Sequence, residues 1–284
     1  MTEVTTITTA NRTIVADRLA ASALVLAALS AGAGLLIPGI YRDTEAWIRQ
    51  ARAADLVTLF AVVPVLAFGL WRASAGSAVG RLTALAALGY LVYNYALFGF
   101  SVAINAMTPA HIAVLGLATW SLALNLVDLS RDPLRAGVGT RLPRRTTATF
   151  LVAVSALFAS MWLGQIVQAI ASGAVPEELA NLGLATNPVY TLDLAFALPF
   201  LVVSGIAAVR LWPAGAELAL VALAWVALMG LGVLAIFAFD AAAGAAVPLA
   251  VAAGIGLLTV IAIALTTVGL MPVRSGSTVS VAGT

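Results

Sequence analysis

The sequence predicts an all-α fold, a polytopic transmembrane bundle of eight helices with both termini on the cytoplasmic side. The mean hydropathy is +1.08, and only 9% of the 284 residues are charged. The apolar residues form eight stretches, and each is long enough for the helix of about 20 residues that crosses a bilayer. Short loops join these stretches, so the chain has no room for a separate soluble domain.

We expect the spans to follow one another between two polar tails, 1–17 and 272–284. In chain order the predicted spans are 18–40, 55–72, 79–103, 109–129, 147–172, 190–211, 214–239 and 243–271. Pro64, Pro199 and Pro248 lie inside three of these spans and are expected to kink them, because proline lacks the N–H that a helix interior requires.

Two of the loops carry helix signals of their own. Asp43 or Thr44 is placed as the N-cap of a helix that contains Trp47 and runs into the second span. Pro176 is placed at the start of a short helix, and Gly183 is placed to end it.

The basic residues predict the orientation. All fourteen are arginine, and only Arg42, Arg49 and Arg52 fall on one side of the predicted membrane. Positive residues are retained in the cytoplasm, so the other side, which contains both termini, is predicted to be cytoplasmic. The arginine-rich, lysine-free composition is typical of a GC-rich bacterial genome, which predicts the cytoplasmic membrane of a bacterium.

The largest basic cluster is the loop 131–145, which joins two predicted halves, 18–130 and 146–271. One interpretation is a topology signal that lies on anionic headgroups; the alternative is a docking site for an acidic partner. Each half has a span that opens with aspartate and closes with arginine, Asp55 to Arg72 and Asp193 to Arg210, at the same separation. This pattern favours a parallel repeat of four plus four spans, although many spans begin and end in this way.

Composition excludes several classes of chemistry. Without cysteine there is no disulfide, thiolate metal site or cysteine nucleophile, and without lysine there is no Schiff base or Walker A loop. One histidine, His111, cannot form a bis-histidine haem site; near a span end, it is expected to be solvated or to cap a helix. We therefore predict no cofactor, no metal and no catalytic residue. Nucleic acid is not an expected partner, because topology accounts for the arginines.

Polar side chains within the spans are expensive to bury and therefore require an explanation. Several are predicted in the outer half of the bundle, where they could line a pocket open to the outside. The candidate ligand-binding residues are Asp55, Tyr93, Asn94, Gln165, Gln168 and Asp193. The alternative is hydrogen bonding between helices for the amides, and helix capping for the aspartates.

Two segments, LGYLVYNY at 88–95 and NPVYTLDL at 187–194, resemble sequences of a family of bacterial multi-pass membrane proteins of unknown function. The resemblance covers most of the chain and implies a helical bundle. It carries no known activity, so it assigns no functional residue.

The sequence leaves three classes of function open. The first is a transporter or channel subunit that binds a small solute or a lipid in an outward-facing polar pocket. The second is a non-catalytic accessory, sensory or assembly protein, and the third is a membrane enzyme that acts on a lipid. The expected partners are the bilayer, such a solute or lipid, and another membrane protein or a second copy of the chain.

Overall fold

A computed structural model of the protein describes residues 2–131 and 138–271, which form helices and no strand. In chain order the helices are α1 (Thr2–Leu36), α2 (Glu45–Ser74), α3 (Ala78–Ser101), α4 (Thr108–Arg131), α5 (Arg144–Ser172), α6 (Glu177–Leu182), α7 (Pro188–Val209), α8 (Gly215–Ala242) and α9 (Leu249–Leu270). All except the short α6 are long and apolar enough to cross a membrane. The prediction of an all-helical chain with eight spans is confirmed.

The helix ends differ from the prediction in places. Helix α1 begins at Thr2 and so includes most of the predicted tail 1–17. Helix α2 begins at Glu45 because the Thr44 hydroxyl accepts the Trp47 N–H, at 3.3 Å, and the helix then continues into the span. Pro248 precedes α9 instead of lying inside it, so the expected kink there was wrong. Residues 132–137 of the basic loop and the tail 272–284 lie outside the described residues.

Helices α2 and α7 each contain one wide π turn, Thr58–Val62 in α2 and Asp193–Ala197 in α7. In each, a backbone N–H bonds the carbonyl five residues earlier: Val63 to Thr58, and Leu198 to Asp193. Pro64 and Pro199 follow directly, two residues after the turn ends. Pro64 and Pro199 are therefore each preceded by a local widening of the helix, a feature often found at functional sites.

The two halves of the bundle close differently. In the first half α1 packs on α2 and α4, and α3 packs on both, so the four helices form a closed ring. In the second half α7 packs on α5 and α8, and α8 packs on α9. Helices α5 and α9 form no packed seam along the described chain, so this second ring is open. Helix α8 joins the halves by packing on both α2 and α3.

Ion pairs link helices that are distant in sequence, among them Arg12 of α1 with Asp128 of α4 at 3.5 Å and the two that follow. Arg49 of α2 pairs with Asp240 of α8 at 2.9 Å, and this contact joins the halves near one end of the bundle. Arg81 of α3 pairs with Asp17 of α1 at 3.3 Å, and it also donates to the Asn125 side chain of α4. The Arg81–Asp17 pair lies at the opposite end of α3 from Tyr93, so it is remote from the cavity described next.

Candidate ligand-binding site

A cavity of about 500 Å³ lies among α2, α3, α5, α7, α8 and α9. This volume falls within the range of roughly 300–1,000 Å³ that is typical of small-molecule sites. Apolar and aromatic side chains form most of its wall. Its deepest lining residue on α9, Thr259, is ten residues beyond Leu249, or about 15 Å at 1.5 Å per residue. The cavity therefore reaches about halfway through a hydrocarbon core of roughly 30 Å.

The cavity occupies the gap in the second ring of helices. Helix α5 contributes Phe158 and Trp162 to one wall, and α9 contributes Val251 and Ile255 to the other. Since α5 and α9 do not pack together, the gap between these walls faces sideways out of the bundle. In a bilayer that direction is occupied by lipid tails.

The Asp193 carboxylate is the centre of a hydrogen-bond network in the cavity wall. Tyr93 of α3 donates its hydroxyl to Oδ1 at 2.8 Å, and Trp162 of α5 donates its indole N–H to Oδ2 at 2.7 Å. Asp193 is only 8% exposed and begins the π turn of α7. Both oxygens accept a hydrogen bond from an uncharged donor, and these bonds link α3, α5 and α7. The carboxylate forms no ion pair among the described residues.

Aromatic rings surround this network. The Trp162 and Tyr190 rings lie 5.2 Å apart between centroids, and Tyr93 meets Trp225 edge to face at 5.7 Å. Tyr190 also donates its hydroxyl to the Gln165 side-chain oxygen. The polar end of the cavity is thus a group of packed rings with one carboxylate and one amide fixed among them.

Asn94 provides an unused hydrogen-bond donor. The residue lines the cavity and is 6% exposed, and its amide Nδ2 has no hydrogen-bond partner in the described part of the chain. A buried donor without a partner costs about 1–3 kcal/mol. A bound molecule with an oxygen acceptor at this position would recover that free energy.

The structure brings together four of the six predicted site residues, Tyr93, Asn94, Gln165 and Asp193, at this cavity. Gln168 is exposed on α5 and does not line the cavity. Asp55 does not line it either, because the cavity-facing side of α2 carries Trp47, Gln50, Ala51 and Ala54, whereas Asp55 faces α1. Its position there is fully buried, so the alternative of a cap at headgroup depth was wrong for Asp55.

Asp55 belongs to a separate cluster inside the first ring. The Tyr41 hydroxyl donates to its Oδ2 at 2.5 Å, and Gly34 of α1 packs directly on the carboxylate. Burial, together with the nearby Asp55 carboxylate, raises the pKa of the Tyr41 phenol above its usual value, which keeps this group a donor. The cluster and the cavity therefore lie on different faces of α2.

Sequence reasoning missed two features of these sites. Trp225 lies in a continuously apolar stretch, so no spacing or polarity distinguishes it from the residues around it. His111 was expected to be solvated or to cap a helix, but it is 1% exposed and packs against Phe98, 4.9 Å away, and Tyr95. Its place one turn into α4, facing α3, explains the error, since the sequence does not reveal which face of a span turns inward.

Comparison with protein-family models, curated proteins and solved structures finds no match for this chain. The site must therefore be interpreted from its own geometry.

Proposed function

We propose that the protein binds an amphipathic molecule from the bilayer, as the ligand-binding subunit of a membrane transporter or channel. The observation that carries this proposal is the open seam between α5 and α9, which exposes a deep apolar cavity to the lipid. The hydrogen-bonding groups Asn94, Gln165 and Asp193 lie among that apolar lining. An apolar tail fits the groove, and a small polar headgroup fits the end that contains these residues.

The charge of the lining restricts the headgroup. Asp193 is the one charged residue that lines the described cavity, and no arginine lines it. A bare phosphate would meet a carboxylate without a compensating cation, which is unfavourable at low dielectric. The preferred ligand therefore has a neutral or cationic head. A cation would also be attracted to the rings of Trp162 and Trp225, which line the cavity.

We propose the orientation that the arginines predict, with both termini in the cytoplasm of a bacterium. The cavity then opens to the outer leaflet, because its residues lie near the ends of the spans that adjoin Arg42, Arg49 and Arg52. The ligand would accordingly be a component of that leaflet or a molecule that partitions into it.

We also propose that the two halves are related as a parallel repeat. The π turn followed by proline in both α2 and α7 supports this relationship. The two halves can be aligned on their prolines, or on Asp55 and Asp193. These two alignments differ by about one helical turn, so the repeat has diverged in this helix. The open seam between α5 and α9 corresponds to the closed contact between α1 and α4, and it is the difference that creates the cavity.

The proposal is tested by comparing two tryptophan substitutions on α9. Ile255 lines the cavity, whereas Leu257 is exposed to lipid and does not line it. Ile255→Trp should fill the groove, and Leu257→Trp should leave it open. We expect native mass spectrometry of the protein purified from its own membrane to show a bound amphiphile in the wild type and in Leu257→Trp, and its loss in Ile255→Trp.

Equal retention in the two variants would contradict the proposal, because the amphiphile would then bind outside the cavity. The proposal would also fail if the wild-type protein carried no amphiphile and instead copurified with a single-span protein bound across the α5–α9 seam. The open seam would in that case be a docking surface for a membrane partner, and the accessory function would be favoured.

A further inference from the structure

The cluster around Asp55 contains a buried carboxylate oxygen that no donor among the described residues satisfies. Asp55 is 0% exposed, yet its Oδ1 has no hydrogen-bond partner within the described chain. The hydroxyls of Ser30 on α1 and Thr58 on α2 are also buried, and their polar neighbours are the hydroxyls of Tyr95 and Tyr90. Most buried polar groups in folded proteins are hydrogen-bonded, so a buried carboxylate oxygen without a donor requires an explanation.

Helix geometry turns these groups toward the same interior. Gly34 packs on the Asp55 carboxylate, and Ser30 lies one turn before Gly34 on that face of α1. Thr58 lies three residues after Asp55, on the same face of α2. The hydroxyl of Tyr95 approaches from α3 and bonds the Ala27 carbonyl at 3.3 Å, beside Ser30.

A distortion of the α2 backbone follows Asp55 closely. The π turn of α2 begins at Thr58, and Pro64 has no N–H to return to the carbonyl one turn earlier. Carbonyls released from regular helix bonding are a source of cation ligands in membrane proteins. The released carbonyls belong to the turn that follows Thr58, further along α2 than Asp55, so they are not counted among the ligands of the cluster.

The charge of Asp55 has no partner within the described residues. Arg52, one turn earlier on α2, donates instead to the Leu35 carbonyl at 3.0 Å and forms no ion pair with Asp55. An unpaired carboxylate in a low-dielectric interior is strongly disfavoured. One monovalent cation would neutralise it, whereas a divalent cation would leave an uncompensated positive charge.

We propose that Asp55, Ser30 and Thr58 form a binding site for one sodium ion inside the first ring of helices. Hard cations prefer oxygen ligands, and this cluster offers a carboxylate oxygen without a donor in the described chain and two hydroxyl oxygens, Ser30 beside the Tyr95 hydroxyl and Thr58 beside the Tyr90 hydroxyl. Gly34 packs against the Asp55 carboxylate with no room for even a methyl group, so we propose the smaller sodium ion and not potassium. The site is separate from the proposed amphiphile cavity, and α2 and Tyr90 lie between the two.

Thermal unfolding of the purified protein tests the site without requiring knowledge of the amphiphile. We expect Tm to rise with NaCl and to saturate, and to rise much less with KCl or choline chloride at the same ionic strength. Asp55→Asn should abolish the sodium-specific shift. Asp193→Asn, a matched carboxylate change at the cavity, should retain it.

Two milder variants keep the test decisive if Asp55→Asn does not fold. Thr58→Val removes one proposed ligand and should raise the half-saturating sodium concentration about tenfold, equivalent to the loss of one hydrogen-bond-strength contact. Thr83→Val is its control, because the Thr83 hydroxyl already donates to the Val79 carbonyl at 2.8 Å. It should leave the sodium response unchanged.

Two results would overturn the proposal. One is a wild-type Tm that responds equally to sodium, potassium and choline, which would mean that Asp55 is neutralised by a proton. The other is a sodium-specific shift that persists in both Asp55→Asn and Thr58→Val. Neither result bears on the amphiphile, whose retention is measured separately.

Discussion

The Tyr93 hydroxyl donates to the Asp193 carboxylate at 2.8 Å, across the boundary between the two halves of the chain. Tyr93 belongs to α3 of the closed ring, and Asp193 to α7 of the open one. The bond therefore joins the wall of the cavity to the closed half of the bundle. Trp162 completes the carboxylate's shell from α5, one of the two helices that border the opening.

Tyr93→Phe should destabilise the protein, because it leaves Asp193 Oδ1 buried without a donor. We expect a loss of about 1–3 kcal/mol in the free energy of unfolding, measured by denaturant titration in mild detergent. In a double-mutant cycle with Asp193→Asn, the two effects should be coupled by at least about 0.5 kcal/mol. Purely additive effects would show that the bond does not contribute to stability.

Gly34→Ala should disrupt the Asp55 cluster. A methyl group at Gly34 would lie 2.6 Å from the Tyr41 hydroxyl oxygen and 2.8 Å from the Asp55 carboxyl carbon, so these side chains would have to move. We expect a loss of about 1–3 kcal/mol in stability. Gly32 is the matched control, since a methyl group there meets nothing within 4 Å. Gly32→Ala should be neutral or slightly stabilising in the same unfolding assay, and equal losses for the two variants would contradict the packing described.

Asn94→Leu and Asn125→Leu should have opposite effects on stability, although both residues are 6% exposed. Asn94 Nδ2 has no partner in the described chain, so its replacement should be neutral or stabilising by up to about 1 kcal/mol. Asn125 donates to the Ser121 carbonyl at 2.9 Å and accepts from Arg81, so its loss should be destabilising by about 1–3 kcal/mol.

Asn94→Leu, expected to be the more stable of the two variants, should be the one that loses the bound ligand. Asn94→Leu should release the bound amphiphile in native mass spectrometry, whereas Asn125→Leu, remote from the cavity, should retain it wherever it folds. A destabilised Asn94→Leu that keeps its ligand would indicate that the amide serves packing alone.

Orientation can be measured with single cysteines, because the chain has none of its own. Ala75 lies between α2 and α3, and Ala246 lies between α8 and α9; both are exposed. A membrane-impermeant maleimide added to intact cells should label Ala246→Cys and spare Ala75→Cys until the membrane is permeabilised. The opposite pattern would invert the proposed topology and place the cavity in the inner leaflet.

Much of the fold follows from hydropathy alone. Span number is predictable because only helices of about 20 apolar residues satisfy their backbone bonds within a bilayer. Helix ends are harder, as α1 shows: its polar first turns form a helix that hydropathy does not require. The π turns of α2 and α7 were not predicted, because proline signals a distortion but does not specify its form.

The site was predictable in part, for a similar reason. Polarity within spans marked Asn94 and Asp193 as unusual, and both line the cavity. Polarity cannot show which helices face one another, so it grouped Asp55 with Asp193, although they lie in different rings. The opening between α5 and α9 depends on helix packing, and these two helices read as ordinary spans in the sequence.

We propose that the seam between α5 and α9 admits an amphiphile into the cavity. A high-resolution electron cryomicroscopy structure of the protein in nanodiscs of its native lipids tests this directly. We expect elongated density between Trp162 and Ile255, with its polar end within hydrogen-bond distance of Asn94 Nδ2. A seam closed by direct contact of α5 with α9, with no density in the cavity, would contradict it.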